Sequence, residues 1–143
     1  MRVLVDTNVL LDYLLEREPY AAHARKIVMA CKQKQIIGCI AAHTISNMFY
    51  ILRKTYSVDE RRNILTDICK LFEVEGIDRF KILQALDNAD FKDFEDCLQM
   101  ECAKSFYADY IVTRNIEDFS YSKIKCITPD ELCQKLVKSE EHS

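Results

Sequence analysis

Glycine and proline are scarce: the 143 residues hold two of each. That leaves little room for linkers, and neither a repeat nor a low-complexity segment interrupts the chain. One domain over residues 1–143 is therefore expected, with the last few residues as a disordered tail. No stretch approaches the ~20 apolar residues that a bilayer-spanning helix needs. The N-terminus lacks the charged segment, apolar run and small-residue cleavage site of a secretory leader. Neither membrane insertion nor secretion is expected, and the working compartment is read as the cytoplasm. The cysteines at 31, 39, 69, 97, 102, 126 and 133 include no C-x-x-C pair. An odd count without paired spacing fits reduced, mostly buried thiols and not a disulfide framework or a zinc site. Net positive charge is missing as well: the formal charge is −3 at pH 7, so no bulk basic field advertises nucleic acid. A local basic surface can still serve, and Arg53 with Lys54 and Arg61 with Arg62 are the candidates.

What is present is an ordinary globular composition, 49% hydrophobic and 30% charged. A chain of this length buries roughly 68–70% of the surface that it exposes when unfolded. Apolar runs with valine and isoleucine predict strands at 2–5, 36–40, 73–77, 110–112 and 125–127. Helical spacing predicts helices over 9–15, 20–33, 79–87 and 93–106, and two more between strands two and three. Thr44 or Ser46 is the expected cap of the first of these two, and Ser57–Glu60 has the form of a capping box for the second. Thr128 with Pro129 and two acids opens a closing helix. Strands alternating with helices predict a three-layer α/β/α sandwich around a mainly parallel sheet. Ligands of such sheets bind beyond the carboxyl ends of the strands.

Acids stand at those ends. The first apolar run, Val3 to Val5, stops on Asp6, a position where a carboxylate is costly unless it is paired, hydrogen-bonded or bound. The segment DFEDCLQMECA places Asp93 and Asp96 three apart at a helix start, on one face, where Asp93 could equally be no more than an N-cap. The segment DYIVTRNIEDF ends a strand at Thr113 and carries Asn115 and Asp118 into the loop, where an Asx turn is the plain structural alternative. Two unit charges 4 Å apart repel by about 4 kcal/mol at an effective dielectric of 20. Acids gathered at one sheet edge therefore either take up protons or hold a cation. Oxygen ligands alone suit magnesium or manganese, and such an ion suits phosphoester hydrolysis. Thr7 or Thr113 could orient the attacking water, or simply close the strand ends.

The three segments VDTNVLLD, FEDCLQMECA and IVTRNIEDF resemble, in order, the motifs of the PIN-domain nucleases, which include VapC-type toxins of bacterial toxin–antitoxin pairs and the PilT N-terminus-like proteins. The resemblance runs over nearly the whole chain and implies a PIN-like fold and a magnesium- or manganese-dependent ribonuclease. It maps the family's first acid to Asp6, the third to Asp96 and the fourth position to Asn115 or Asp118, with Asp6, Asp96 and Asp118 as metal ligands. AAHTISNMFYIL resembles the helix that usually carries the second acid, a glutamate, and here that position is Asn47. Asn47 and Asp93, with Thr7 and Thr113, are then helpers, and weaker metal binding is expected. An RNA substrate, a small antitoxin protein docked in an apolar groove, and often a homodimer are implied in the same way.

Other assignments are weighed from the residues alone. His43 is expected to be structural, Asp12 a surface acid or salt-bridge partner, and Tyr13, Tyr50 and Tyr107 edges of the core before they are base-stacking groups. The alternative function is a PIN-fold module with weakened catalysis that binds RNA or a protein partner, favoured by Asn47. An aspartate-based phosphotransfer enzyme fares worse, because Asn8 stands where its second acid is required and no Gly-rich phosphate loop is present.

Overall fold

The structure, a computed structural model, describes residues 1–141. Strands β1 (Arg2–Val5), β2 (Ile37–Ala41), β3 (Glu73–Glu75), β4 (Tyr110–Val112) and β5 (Cys126–Ile127) form one parallel sheet in the order β3-β2-β1-β4-β5. The helices are α1 (Thr7–Leu14), α2 (Ala21–Lys32), α3 (Ala42–Ile51), α4 (Val58–Leu71), α5 (Arg79–Asp87), α6 (Phe94–Ser105) and α7 (Pro129–Glu141), with 3-10 turns at Leu52–Lys54 and Ile116–Phe119.

Both faces of the sheet are covered, as the period-two alternation of the strands requires. Val3, Val5, Ile40 and Val112 face a core built with Leu10, Ile27, Met48, Leu65 and Leu132 from α1, α2, α3, α4 and α7. Leu4, Cys39, Ala41 and Ile111 face the opposite core, built with Ala85 of α5 and Leu98 and Met100 of α6. The expected three-layer sandwich is the fold. Gly38 shows how tightly the first layer closes, since a Cβ there would stand 2.8 Å from both Cys31 Sγ and Phe72 Cδ1. Cys31, Cys39, Cys97, Cys102 and Cys133 are buried, Cys126 is half-buried, and Cys69 alone is exposed, on α4. Burial pushes the Cys31 thiol up to about 12 and the Cys102 thiol up to about 11.

Several boundaries differ from the sequence reading. Helix α1 begins at Thr7 and not at residue 9, so it follows Asp6 directly. Neither Thr44 nor Ser46 caps α3: the helix starts at Ala42 from an Ala41 cap without a side-chain bond, and Thr44 is buried inside it. Strand β3 stops at Glu75 instead of 77 and β5 starts at Cys126, whereas β4 spans the expected 110–112. The capping box holds, with Ser57 and Glu60 exchanging both bonds, and Thr128 Oγ1 accepts from the Glu131 amide at 3.1 Å. Helix α7 runs through Glu141, and the rest of the expected tail, residues 142–143, lies outside the described residues.

The strand order fixes where a ligand can enter. From β1 the chain winds outward through β2 to β3, then returns to lay β4 on the other side of β1. The switch point is therefore between β1 and β4, and the crevice beyond the carboxyl ends of those strands is the expected binding place. Val5 is in register with Val112, and the Asp6 amide donates to the Val112 carbonyl at 3.0 Å. Asp6 and Thr113 thus stand side by side at the head of that crevice.

Candidate functional site

Asp6 is 4% exposed, and both of its carboxylate oxygens are engaged. Oδ1 accepts from Gln99 Nε2 at 2.9 Å, and Oδ2 accepts from the Thr113 hydroxyl at 2.8 Å. Burial drives the Asp6 carboxyl above its ordinary pKa, while Gln99, Thr113 and the amides of Thr7 and Asn8 at the head of α1 pull it back. The strand can end on an acid because neighbours solvate it in place of water.

Helix α6 supplies the next groups. Asp93 is its N-cap, with Oδ1 accepting from the Asp96 amide at 3.0 Å. Asp96 and Gln99 follow three apart, on the face that meets Asp6. Gln99 Nε2 lies 3.4 Å from Asp96 Oδ1 as well as 2.9 Å from Asp6 Oδ1, so a single amide nitrogen stands between the two carboxylates. With both carboxylates ionised, the nitrogen is the end of the amide that faces them, and the amide is assigned that way. Its Oε1 is buried and has no hydrogen-bond partner among the described residues. An orphaned buried acceptor of this kind costs about 1–3 kcal/mol. The Asp96 carboxyl is pushed up to about 7, by burial first and then by Asp93, Asp6 and Asp118.

The loop after β4 completes the wall. The Thr113 hydroxyl, fully buried, donates to Asp6 and accepts from the Asn115 amide at 3.0 Å. This bond turns the chain so that Asn115 and Asp118 reach the same cavity of about 470 Å³. It also replaces the Asx turn considered from sequence, since the Asn115 side chain caps nothing. Five carboxylates line the cavity, those of Asp6, Asp93, Glu95, Asp96 and Asp118, with no lysine or arginine among the lining residues.

A profile of the PIN domain matches residues 2–117. The chain belongs to the PIN domain family. A search of curated proteins finds no match. Solved structures with the same fold include VapBC2 from Rickettsia felis, bound to a DNA fragment from its promoter, at 15% identity and a TM-score of 0.66, covering 90% of this chain and 98% of that one. A toxin–antitoxin complex from Klebsiella pneumoniae matches at 20% identity and TM-score 0.66, over 89% and 97% of the two chains. VapBC-1 from nontypeable Haemophilus influenzae matches at 13% identity and TM-score 0.67, over 91% and 99%. At these identities the likeness is one of fold.

Within this PIN domain, Asp6, Asp96, Asn115 and Asp118 all line one cavity, together with Asn47, Asp93 and Thr7. Their burial differs: Asp6 is buried, Asp96, Asn47 and Asn115 are half-buried, and Asp118 and Asp93 are exposed at the rim. Among the described residues, no group of three or more His, Cys, Asp or Glu side chains is arranged to hold a metal ion outright. The donor set nevertheless fits a hard divalent ion in kind, because the side chains lining the cavity offer carboxylate and amide oxygens.

Asn47 Nδ2 donates to Glu95 Oε2 at 3.1 Å, so the neutral residue on α3 is in contact with an acid from α6. The two threonines have bonds of their own: Thr7 Oγ1 lies 2.9 Å from Thr44 Oγ1, and Thr113 is committed to Asp6. His43 faces the cavity, and burial lowers its pKa against the opposing pull of Glu95, Asp93 and Asp6. Of the two readings of Asp12, surface acid or salt-bridge partner, the structure shows the second. Asp12 is 1% exposed and paired with Arg114, with Arg17 at 3.7 Å.

Of the tyrosines, only Tyr50 lines the cavity, 63% exposed and with the Arg53 guanidinium 3.6 Å over its ring. Tyr107 precedes β4, at the opposite end of the sheet from the site. Arg61 is used internally, donating to the Phe49 carbonyl at 2.7 Å. Sequence reasoning missed Gln99 and Glu95. Both lie within the motif that carries Asp96, and Gln99 falls one turn beyond that acid, which was the available signal.

Proposed function

We propose that this PIN domain is an endoribonuclease dependent on magnesium or manganese, acting as the toxin of a toxin–antitoxin pair. The observation that carries the reading is the unbalanced charge at the switch point: five carboxylates in one cavity without a lysine or arginine. Such a cluster lowers its free energy by holding a cation or by protonation, and the Asp96 carboxyl, raised to about 7, already leans toward the second in the metal-free protein. Asp6 and Asp96 would hold the ion at the floor, with Asp118 facing them from the rim and Asn115, Asn47 and Asp93 in support. A bound ion would supply an activated water near neutral pH and offset charge on the phosphate.

The chain's own groups do the rest. Thr113 fixes the Asp6 carboxylate through Oδ2, which leaves that acid one orientation. Asp96 must give up its proton before it can hold an ion. Tyr50, at the cavity wall, offers a ring on which a splayed base can stack, with the Arg53 guanidinium over that ring. The solved neighbours from Rickettsia felis and Klebsiella pneumoniae are VapBC and toxin–antitoxin assemblies, which supports a small antitoxin as the partner. A groove between α1, α2 and α4, lined by Tyr13, Leu14, Val28, Met29, Ile64 and Leu71, is a surface suited to an antitoxin helix. Homodimerisation belongs to the same reading.

The test is cleavage of single-stranded RNA by the parent, Asp6→Asn and Asp96→Asn, with manganese and with a chelator. Cutting is expected from the parent with metal alone and from neither variant. Equal cutting by all three would show that the acids are not the site. A parent that binds manganese and RNA without cutting would make the chain a binding module, the reading that the neutral Asn47 favours.

A further inference from the structure

We infer that Gln99 is the positioning residue of the metal site: its amide nitrogen spaces the Asp6 and Asp96 carboxylates and thereby sets the affinity for a divalent ion. The inference rests on the metal-dependent reading above. Gln99 is 2% exposed on a helix whose neighbouring residues Leu98 and Met100 are core, so a polar amide at this position must be satisfied by something in the fold. Its nitrogen serves two acids from elements far apart in sequence, at 2.9 Å to Asp6 and 3.4 Å to Asp96. Its oxygen is buried and has no partner among the described residues.

An amide selected for stability alone would use both ends. Here the nitrogen is committed to the two carboxylates, while the oxygen is buried without a partner among the described residues. The residue type fits the task. A leucine would leave the two acids unoriented, and a lysine would neutralise them and occupy the place of the ion. A neutral donor orients the carboxylates and leaves their charge available to metal. Groups that hydrogen-bond metal-holding carboxylates typically change affinity 10–100-fold when lost.

The experiment is a manganese titration of the full chain, read by loss of the free-ion paramagnetic signal, on the parent, Gln99→Met and Gln99→Lys, alongside metal-free melting. The parent should bind saturably, and Gln99→Met should bind 10–100-fold more weakly with its helical circular dichroism retained. Gln99→Lys should bind no manganese and melt at a higher temperature than the metal-free parent. On the parent alone, magnesium should shift the side-chain amide resonances of Gln99 and leave those of Gln134 on α7 unmoved, a result that depends on no variant folding. Parent-like affinity in Gln99→Met, or unmoved Gln99 resonances in a magnesium-saturated parent, overturns the role of Gln99 and leaves the metal site standing. A parent that binds neither ion at millimolar concentration overturns the metal reading, and this inference with it.

Discussion

Arg114 donates from Nε to Asp12 Oδ2 across 2.8 Å, which ties the loop after β4 to helix α1. Its Nη2 lies 3.4 Å from the other oxygen, and its guanidinium stands 4.2 Å over the Tyr20 ring. Arg114 sits in the chain between Thr113, which grips Asp6, and Asn115, which lines the cavity. The pair, its acid buried and its guanidinium partly exposed, therefore holds the frame on which two candidate site residues are mounted.

Arg114→Met leaves Asp12 buried with only Arg17, at 3.7 Å, to compensate it. Breaking a buried pair from one side costs about 3–5 kcal/mol, and the remaining arginine puts the expected loss near the lower figure. Urea unfolding at pH 7 measures it. Because the loop loses its anchor, metal-dependent cleavage should fall by more than the fraction of unfolded protein explains.

The raised Asp96 carboxyl makes metal-free stability depend on pH. Its folded value is about 7, against about 3.9 in an unfolded chain. Between those values the folded protein binds more protons than the unfolded, so stability is full below pH ~4 and declines as pH rises toward 7. Asp96→Asn removes that decline. After discounting for solvent screening of a half-buried carboxyl, the metal-free variant should exceed the parent by about 1–2 kcal/mol above pH 7 and match it near pH 4. Urea titrations with chelator at pH 4 and 8 check this, and saturating manganese at pH 8 should reverse the order.

Asn47 and Glu95 form one unit, with the amide nitrogen 3.1 Å from the carboxylate. Asn47→Glu exchanges that hydrogen bond for two like charges, worth about 1 kcal/mol of repulsion at 4 Å in water-like surroundings. The single variant should lose about that much metal-free stability and bind manganese more tightly. Adding Glu95→Gln should restore the stability, which thermal melts of the single and double variants would show as non-additivity.

Gly38→Ala tests the packing beneath the sheet. The added methyl meets Cys31 Sγ and Phe72 Cδ1 at 2.8 Å and Phe72 Cε1 at 2.9 Å, all in the core layer. Overpacking of this kind costs about 1–3 kcal/mol. The loss should appear in denaturant midpoint without a change in cleavage per folded molecule, because Gly38 lies near the start of β2, away from the site.

Features decided within a few residues were legible in the sequence. The capping box of Ser57 and Glu60 closes over three positions, and the span of α5 and of β4 follows from local periodicity. The acid at the end of β1 and the acid after β4 marked the candidate site for the same reason, since a polar group that interrupts an apolar run is visible in the run itself. Parallel pairing was legible from the alternation of strands and helices, and with it the edge of the sheet at which the acids had to gather.

What only the tertiary structure decided lies between elements distant in the chain. Gln99 reads locally as one polar residue on a buried helix; its meaning comes from Asp6, which the fold brings to 2.9 Å across 93 positions. Asp12 read as a surface acid or a salt-bridge partner, and only the fold decided for the second and buried it, by bringing Arg114 from 102 positions away. Thr44 read as a helix cap, yet packing buries it and joins its hydroxyl to Thr7. In a parallel sheet every strand pairing spans a crossover, so the contacts at its switch point have no local code. The sequence by itself determined which residues carry charge at the strand ends. The winding of the sheet decided which of them meet and which neutral group stands between them.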